Sequence, residues 1–401
     1  MIGELDDYKD LVVKCSHCAL CEAICPVYLE DMLETHVARA RVDIIDQTLC
    51  KKTMPVTPRV KDIINRCLLC TSCTRECGAA VPVHEIIIAA RHALYGGKRQ
   101  NWLKRYILKN MIENRGIVGL PAYLLWTAQQ LHLTPAGFPS IILSTFTSKY
   151  RGTYPASSEK RQKVAYFVGC ATNSMDPETG ESVMRVLAHN GIEVVVPDKL
   201  MCCGIPALAE GDMKSAQNAV RNNIAILADL DVDAVVTDCT SCGMMLRAET
   251  GKVLPADDPL LKKAAELAPK IFEVTDYLNK IGLSPAPTTM QESYTYHMPC
   301  HRGWTPTLDT APIEVLSCIP GMEYHAMSEP GKCCGAGGAF FTEYEDLSGK
   351  IRKRKLDDIL STGVKTVISQ CPGCRSYLAS ALGRKTRVIH PVTLLRKAYG
   401  L

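Results

Sequence analysis

The apolar positions change their period once along the chain, and that change divides it. In the N-terminal part, EDMLETHVARARVDIIDQTL (30–49) and HEIIIAARHALYGG (84–97) place apolar side chains three and four apart. This spacing predicts amphipathic helices, the second ended by Gly96 and Gly97. From Lys163 onward, short β-branched runs alternate with helical stretches, which predicts βα units around a parallel sheet. VAYFVGC (164–170), VVVP (194–197) and AVVTDC (234–239) read as strands, and DMKSAQNAVRNNIAILADL (212–230) as a helix between the last two. The pass then repeats. YTYHMPC (294–300) and TVISQC (366–371) read as strands, with the helix DLSGKIRKRKLDDIL (346–360) between them.

A third texture separates these parts. No charged side chain stands between Arg115 and Lys149, and IVGLPAYLLW (117–126) and PSIILSTF (139–146) are strongly apolar. Pro121, Pro135 and Pro139 interrupt the segment, and no continuous apolar run reaches the length of a spanning helix. It is read as a buried connector packed on its own domains. The alternative is a docking surface for a partner subunit or the membrane interface.

At 401 residues the chain is long enough for two or three domains, and 47% apolar residues exclude a disordered chain. A net charge of +4 gives no bulk argument for nucleic acid. The anomaly is 20 cysteines. The opening MIGELDDYKDLVVKC is acidic and lacks the basic-then-apolar pattern of an export segment, so a cytoplasmic location is expected. There, clustered thiols serve as metal ligands more often than as disulfides. A secreted disulfide scaffold, the rival reading, is a short chain; this one is not.

Cys15, Cys18, Cys21 and Cys25, followed by Pro26, give C-x-x-C-x-x-C-x-x-x-C-P, and Cys67, Cys70, Cys73 and Cys77 repeat it with Gly78 in place of the proline. Two-residue gaps put three thiolates on one tight loop, and the fourth cysteine ligates the other cluster of a pair. One 4Fe–4S cubane is therefore assigned to Cys15, Cys18, Cys21 and Cys77. The second is assigned to Cys67, Cys70, Cys73 and Cys25. His17 and His84 lie nearby and are read as ordinary surface or core histidines, with tuning of a cluster through sulfur as the alternative.

The two later passes carry their own cysteine sets. Cys170, Cys202, Cys203, Cys239 and Cys242 form one, and Cys300, Cys333, Cys334, Cys371 and Cys374 the other. Cys170 to Cys202 is 32 positions and Cys300 to Cys333 is 33; Cys203 to Cys239 is 36 and Cys334 to Cys371 is 37. In a parallel α/β sheet the loops after the strands gather along one edge. Five converging thiols over-supply a tetrahedral zinc site and fit iron–sulfur assembly better, with zinc or a structural role for one half as the alternative. Cys50 and Cys318 remain, read as small buried hydrophobes. Gly335, Gly337 and Gly338 suit a loop whose backbone approaches inorganic sulfur. The basic run 352–355 reads as a solvated helix face.

These motifs carry a resemblance. Cys170…Cys202-Cys203-Gly204…Cys239-x-x-Cys242 and Cys300…Cys333-Cys334-Gly335…Cys371-x-x-Cys374 match the cysteine-rich CCG domain. Preceded by two cubane motifs, the chain resembles the D-type subunit family of heterodisulfide reductase. It is also similar to the iron–sulfur subunits of glycolate, lactate and anaerobic glycerol-3-phosphate dehydrogenases. The long spacer between the cubane motifs resembles the alpha-helical ferredoxin domains of multi-subunit dehydrogenases. The expected fold is thus mixed: an N-terminal alpha-helical ferredoxin-like domain (1–98), an apolar connector or partner-docking segment (99–160), and a duplicated α/β CCG domain (161–288 and 289–401).

The resemblance implies two 4Fe–4S cubanes, one or two noncubane 4Fe–4S clusters in the CCG halves, and electron exchange with a flavoprotein or haem partner. A membrane subunit would hold the complex at the inner membrane face. It further implies disulfide cleavage between the noncubane clusters, for which all ten cysteines are present. His301, directly after Cys300, is the nearby side chain able to supply a proton at neutral pH. GAGGAF (335–340) lacks the strand and acidic residue of a dinucleotide site, so the organic cofactor is expected on another subunit. Two rival functions stand beside this one: a pure electron-relay subunit of a glycolate- or lactate-type dehydrogenase, and a non-redox zinc-binding scaffold.

Overall fold

The computed structural model describes residues 1–134, 140–286 and 288–401; Pro135 and Pro139 fall outside them. Two sheets form the second half of the molecule. The first contains β1 (Gly152–Tyr154), β2 (Gln162–Tyr166), β3 (Ile192–Val196), β4 (Ala234–Thr237) and β5 (Ile271–Glu273) in the order β1-β3-β2-β4-β5. The second contains β6 (Glu292–Tyr296), β7 (Met322–Tyr324), β8 (Thr366–Ile368) and β9 (Arg387–Ile389) in the order β7-β6-β8-β9. Removing β1 leaves the same order twice, with every remaining pairing parallel. The duplication read from cysteine spacing is therefore a duplication of topology. β1 runs antiparallel to β3, so the first sheet begins inside the segment read as a connector.

The strands are continuous apolar runs because helices cover both faces. Val164, Ala165, Tyr166 and Val235 are fully buried. Their helices are capped by short acidic side chains: Asp176 accepts from Thr179 N–H before Pro177–His189, and Asp212 from Ser215 N–H before Met213–Ala228. In the N-terminal part, the 30–49 pattern becomes Ala38–Ile45 with a wider turn after it, and 84–97 becomes Val83–Tyr95. Gly96 ends the latter in the left-handed conformation, as its position implies.

Three apolar clusters tie the units together. The largest joins Ile45, Ile64 and Ile86 of the N-terminal part to Leu208, Val220 and Ile271 of the first sheet region. A second joins Tyr166 and Val236 to Tyr296, Leu316 and Leu395, so the two sheet regions share a core. A third packs Val27 and Leu68 on Phe340 and Ile351. Polar ties run along the same seams. Arg375 reaches Asp176 at 2.7 Å, and Arg99 pairs with Glu210 at 2.6 Å and Glu343 at 2.7 Å. Burial would raise the Glu210 carboxyl, but the Arg99 guanidinium holds it below its usual range.

Several expectations are corrected here. The helices Trp102–Asn114 and Leu120–Gln130 are not a buried connector, since Leu120 is 68%, Tyr123 56% and Leu124 59% exposed. Proline at 121 is tolerated because it opens the second of these helices. Cys318 is exposed and Cys50 half-buried. The basic run is not simply a solvated face: Lys355 is buried against Asp358 at 3.2 Å, and Arg354 pairs with Glu30 at 3.1 Å. No helix among the described residues is long and apolar enough to cross a membrane.

Arg99 is a cation shared by carboxylates of the two sheet regions, Glu210 and Glu343. Arg99→Ala leaves both uncompensated and mostly buried, and is expected to destabilise the chain by about 3–5 kcal/mol. Denaturant unfolding measures this; an unchanged midpoint would show that the seam does not depend on the pair.

Candidate metal centres

The two N-terminal motifs share an unusual backbone. His17 and Ala19 have positive φ, and so do Leu69 and Thr71, at the same places within each motif. Non-glycine residues adopt this conformation only when their surroundings hold them there. Both loops thereby curl around their sulfurs, and backbone N–H groups point inward. Cys67 Sγ accepts from Leu69 N–H at 3.4 Å, and Cys77 Sγ accepts from Val81 N–H at 3.4 Å.

One enclosed cavity is lined by Cys25, Cys67, Cys70 and Cys73 together. The fourth sulfur thus arrives from the other motif, carried in by the turn through Pro26. Burial pushes the Cys73 thiol well up, and the neighbouring sulfurs of Cys70, Cys67 and Cys25 add to the shift. Cys15, Cys21 and Cys77 are half-buried against the main apolar cluster, and Cys18 is exposed. His84 lines the cavity but turns its Nδ1 to Thr74 Oγ1 at 3.1 Å and its Nε2 toward Glu249 at 3.6 Å. His17 is a surface residue 3.7 Å from Asp43.

In both sheets the cysteines occupy the edge that the strand order implies. Cys170 and Cys239 follow β2 and β4, while Cys202 and Cys203 lie in the loop after β3. Cys300 and Cys371 follow β6 and β8, with Cys333 and Cys334 after β7. Hydrogen bonding with Cys202 pushes the Cys170 thiol up, and the contacts run on from Cys202 to Cys203, Cys242 and Cys239. In the second set Cys334 Sγ lies 3.0 Å from Cys374 Sγ, and Cys333 Sγ accepts from Gly335 N–H at 3.3 Å. Buried thiols packed this closely cannot all ionise without a cation, so the donor set fits a bound metal assembly. Gly337 serves a different contact from the one its position implied: at φ +54°, a Cβ there would stand 2.2 Å from Leu68.

The loop 67–77 also grips the second sheet. Thr71 Oγ1 donates to Cys300 O at 3.4 Å, and the Arg75 guanidinium donates to the same carbonyl. His301 completes the junction: Nε2 faces Leu69 O and Nδ1 faces Ser241 Oγ, both at 2.9 Å. A carbonyl only accepts, so Nε2 carries the hydrogen and Nδ1 accepts from the serine. Burial lowers the pKa of this imidazole, keeping it neutral. His301 is therefore a clasp between three chain segments, and donating its proton would leave the Leu69 carbonyl unpaired.

Sequence reasoning missed two groups. Arg91 is buried and donates to Ala209 O at 2.7 Å, Asn65 O at 3.0 Å and Cys67 O at 2.7 Å, setting a cation behind the second cavity. His297 lies 1% exposed beside Cys334 and Cys374. Aligning YTYHMPC with VAYFVGC would have found it, because His297 stands where the first pass has Phe167.

Residues 12–81 match the 4Fe-4S dicluster domain, and residues 164–247 and 294–379 match the cysteine-rich domain. The chain is thus an iron–sulfur protein that joins one dicluster domain to two cysteine-rich domains. It belongs with the oxidoreductase iron–sulfur subunits of that build. An uncharacterized iron–sulfur protein of Methanococcus maripaludis is 28% identical, over 94% of this chain and 69% of its own length. A probable glycolate oxidase iron–sulfur subunit of Bacillus subtilis is 24% identical, over 97% of this chain and 94% of its own. A fumarate reductase (CoM/CoB) subunit of Methanothermobacter marburgensis is 29% identical, over 59% of this chain and 46% of its own. A glutamate racemase of Bacillus anthracis covers 60% of this chain and 81% of its own at 14% identity, with a TM-score of 0.28.

His301→Ala removes two buried hydrogen bonds and no sulfur ligand. The expected loss is about 1–3 kcal/mol of stability, with iron content unchanged. His301→Gln, whose amide can donate to Leu69 O, is expected to restore part of it. Thermal unfolding alongside iron analysis reads both, and loss of iron in the glutamine variant would mean that His301 holds metal.

Proposed function

We propose that this chain is the iron–sulfur subunit of a heterodisulfide-reductase-like oxidoreductase complex. In this reading it carries electrons between a flavoprotein partner and its cysteine-rich sites, where a disulfide or thiol substrate reacts. The bound groups, two 4Fe–4S cubanes and one or two noncubane 4Fe–4S clusters, supply one-electron transfer. Residues 1–98 form the ferredoxin-like unit: Cys15, Cys18, Cys21 and Cys77 hold the first cubane, and Cys67, Cys70, Cys73 and Cys25 the second. Residues 161–288 and 289–401 form the CCG units. Cys170, Cys202, Cys203, Cys239 and Cys242 hold one assembly, and Cys300, Cys333, Cys334, Cys371 and Cys374 the other.

The observation that carries this reading is a sulfur neighbourhood. Cys70 and Cys333 pack on the same apolar cluster, and Thr71 Oγ1 donates to Cys300 O at 3.4 Å, so the second dicluster set abuts the second CCG set with no intervening domain. The second set is also the more open. A cleft between the dicluster and second cysteine-rich domains, lined by Ser72, Arg75, Arg302, Gly331 and Lys332, has Cys333 in its wall. In the first set Cys202, Cys203, Cys239 and Cys242 are all buried. A substrate disulfide entering from water therefore meets the second set.

The electron-relay reading, in which a partner in a glycolate or lactate dehydrogenase performs the chemistry, has its own support. The Bacillus subtilis relative named as a glycolate oxidase subunit aligns with this chain along almost its whole length. In either reading the redox partner docks on the exposed helices Trp102–Asn114 and Leu120–Gln130, and through it the complex sits at the inner membrane face. Trp102 and Leu120 are among the most exposed apolar side chains of the described residues, at 76% and 68%.

Protein purified without oxygen is expected to hold roughly sixteen irons per chain, or about twelve if one cysteine-rich half is empty, with matching sulfide. A substrate-sized thiol should perturb the spectrum of the oxidised protein. Iron near eight, or a spectrum indifferent to thiol, would leave the relay reading. Leu120→Glu with Leu124→Glu is expected to release the partner while iron content stays unchanged; retained partner would move the docking surface elsewhere.

A further inference from the structure

The two cysteine-rich sites differ at one buried position. After β2 the chain runs Phe167-Val168-Gly169-Cys170, and after β6 it runs His297-Met298-Pro299-Cys300. The backbones match: Phe167 N–H donates to Val236 O at 2.8 Å, and His297 N–H donates to Ile368 O at 3.0 Å. The side chains do not. Phe167 is fully buried in the main apolar cluster. His297 is equally buried, yet neither Nδ1 nor Nε2 meets an oxygen or nitrogen partner, and the polar side chain it turns to is the Cys334 thiol.

A buried imidazole that meets no oxygen or nitrogen partner is costly and calls for one. The polar groups facing it are Cys334 and Cys374, and one nitrogen and the two sulfurs lie within 4.8 Å of one another. Donor atoms about 2.0–2.3 Å from a shared first-row metal stand roughly 3–4.5 Å apart, so this triad has the span of a common coordination sphere. Lys355, a cation close enough to act on this imidazole, is already engaged by Glu329 O and Asp358. Neutral imidazole suits iron as well as zinc.

We propose that His297 supplies a nitrogen ligand to the metal assembly at the second cysteine-rich site, alongside Cys334 and Cys374. The first site, with Phe167, is ligated by sulfur alone. This rests on the reading that the second set binds an iron–sulfur assembly. The consequence is a mixed nitrogen and sulfur site with a higher reduction potential than its all-sulfur twin, in the direction that histidine ligation shifts other iron–sulfur centres.

The test uses the full-length, iron-loaded chain. Pulsed EPR and Mössbauer spectra are taken on wild type with 14N- and 15N-labelled histidine, and on His297→Phe, which copies the first site. Iron content is measured on each. The expected result is a strongly coupled histidine nitrogen that changes with the isotope, vanishes in the phenylalanine variant, and leaves a lowered midpoint potential there. Iron present at the second site without a strongly coupled nitrogen overturns the histidine ligand alone. Iron limited to the dicluster domain overturns the reading beneath it as well. The isotope comparison needs no variant, so the proposal stays testable if His297→Phe fails to fold.

Discussion

The structure hangs on the grip that one cysteine loop takes on the backbone of another domain. Leu69, Thr71 and Arg75, all inside the second cubane motif, hold the peptide at Cys300 and His301. The same imidazole reaches Ser241, between the paired cysteines of the first cysteine-rich domain. Three cysteine-bearing loops are thus fixed to one another by directed hydrogen bonds rather than by apolar contact alone. Apolar surfaces tolerate sliding; a carbonyl gripped from two sides does not. The spacing between the sulfur sets is set by this junction.

Charge explains much of what surrounds it. Thiolates gathered in an apolar interior repel one another and are poorly solvated. The chain answers with N–H groups aimed at sulfur, with left-handed residues that aim them, and with the buried guanidinium of Arg91 behind Cys67. The two cysteine-rich domains answer differently. The first has Phe167 beside its strand end, whereas the second has His297 and Lys355 within its electrostatic reach. The two sheets share one topology, and the position three residues before each first cysteine, Phe167 in one and His297 in the other, is where their sulfur surroundings part.

Legibility in the sequence followed the strength of the local signal. Strands β2, β3, β4, β6 and β8 announce themselves as β-branched or aromatic runs that lead towards cysteines, and the spacing rule places Cys25 with the second motif, whose cavity it lines. Strands β1, β5, β7 and β9 hold three residues each and, unlike the equally short β8, do not lead into a cysteine; β1, GTY, begins on glycine. The apolar segment after Arg115 misled because composition reports what a surface is made of and not what covers it. Lys355 misled the other way, since its charge disguises a buried residue whose partners lie on its own helix and a distant loop. His297 was hidden in plain view, because its meaning lies in a comparison between two halves and not in either alone.

The shared cores carry a consequence for how the protein is made. The largest apolar cluster includes Ile2 and Ile271, so the N-terminal unit and the first sheet close on each other late, when most of the chain exists. Cys202 and Cys203 are 0% and 3% exposed once that closure is complete. On the proposed reading, iron and sulfide bound for these thiols would have to arrive before docking, while the loops are still open. Maturation and folding become one ordered pathway, and a chain that closes empty has to reopen before it can be filled.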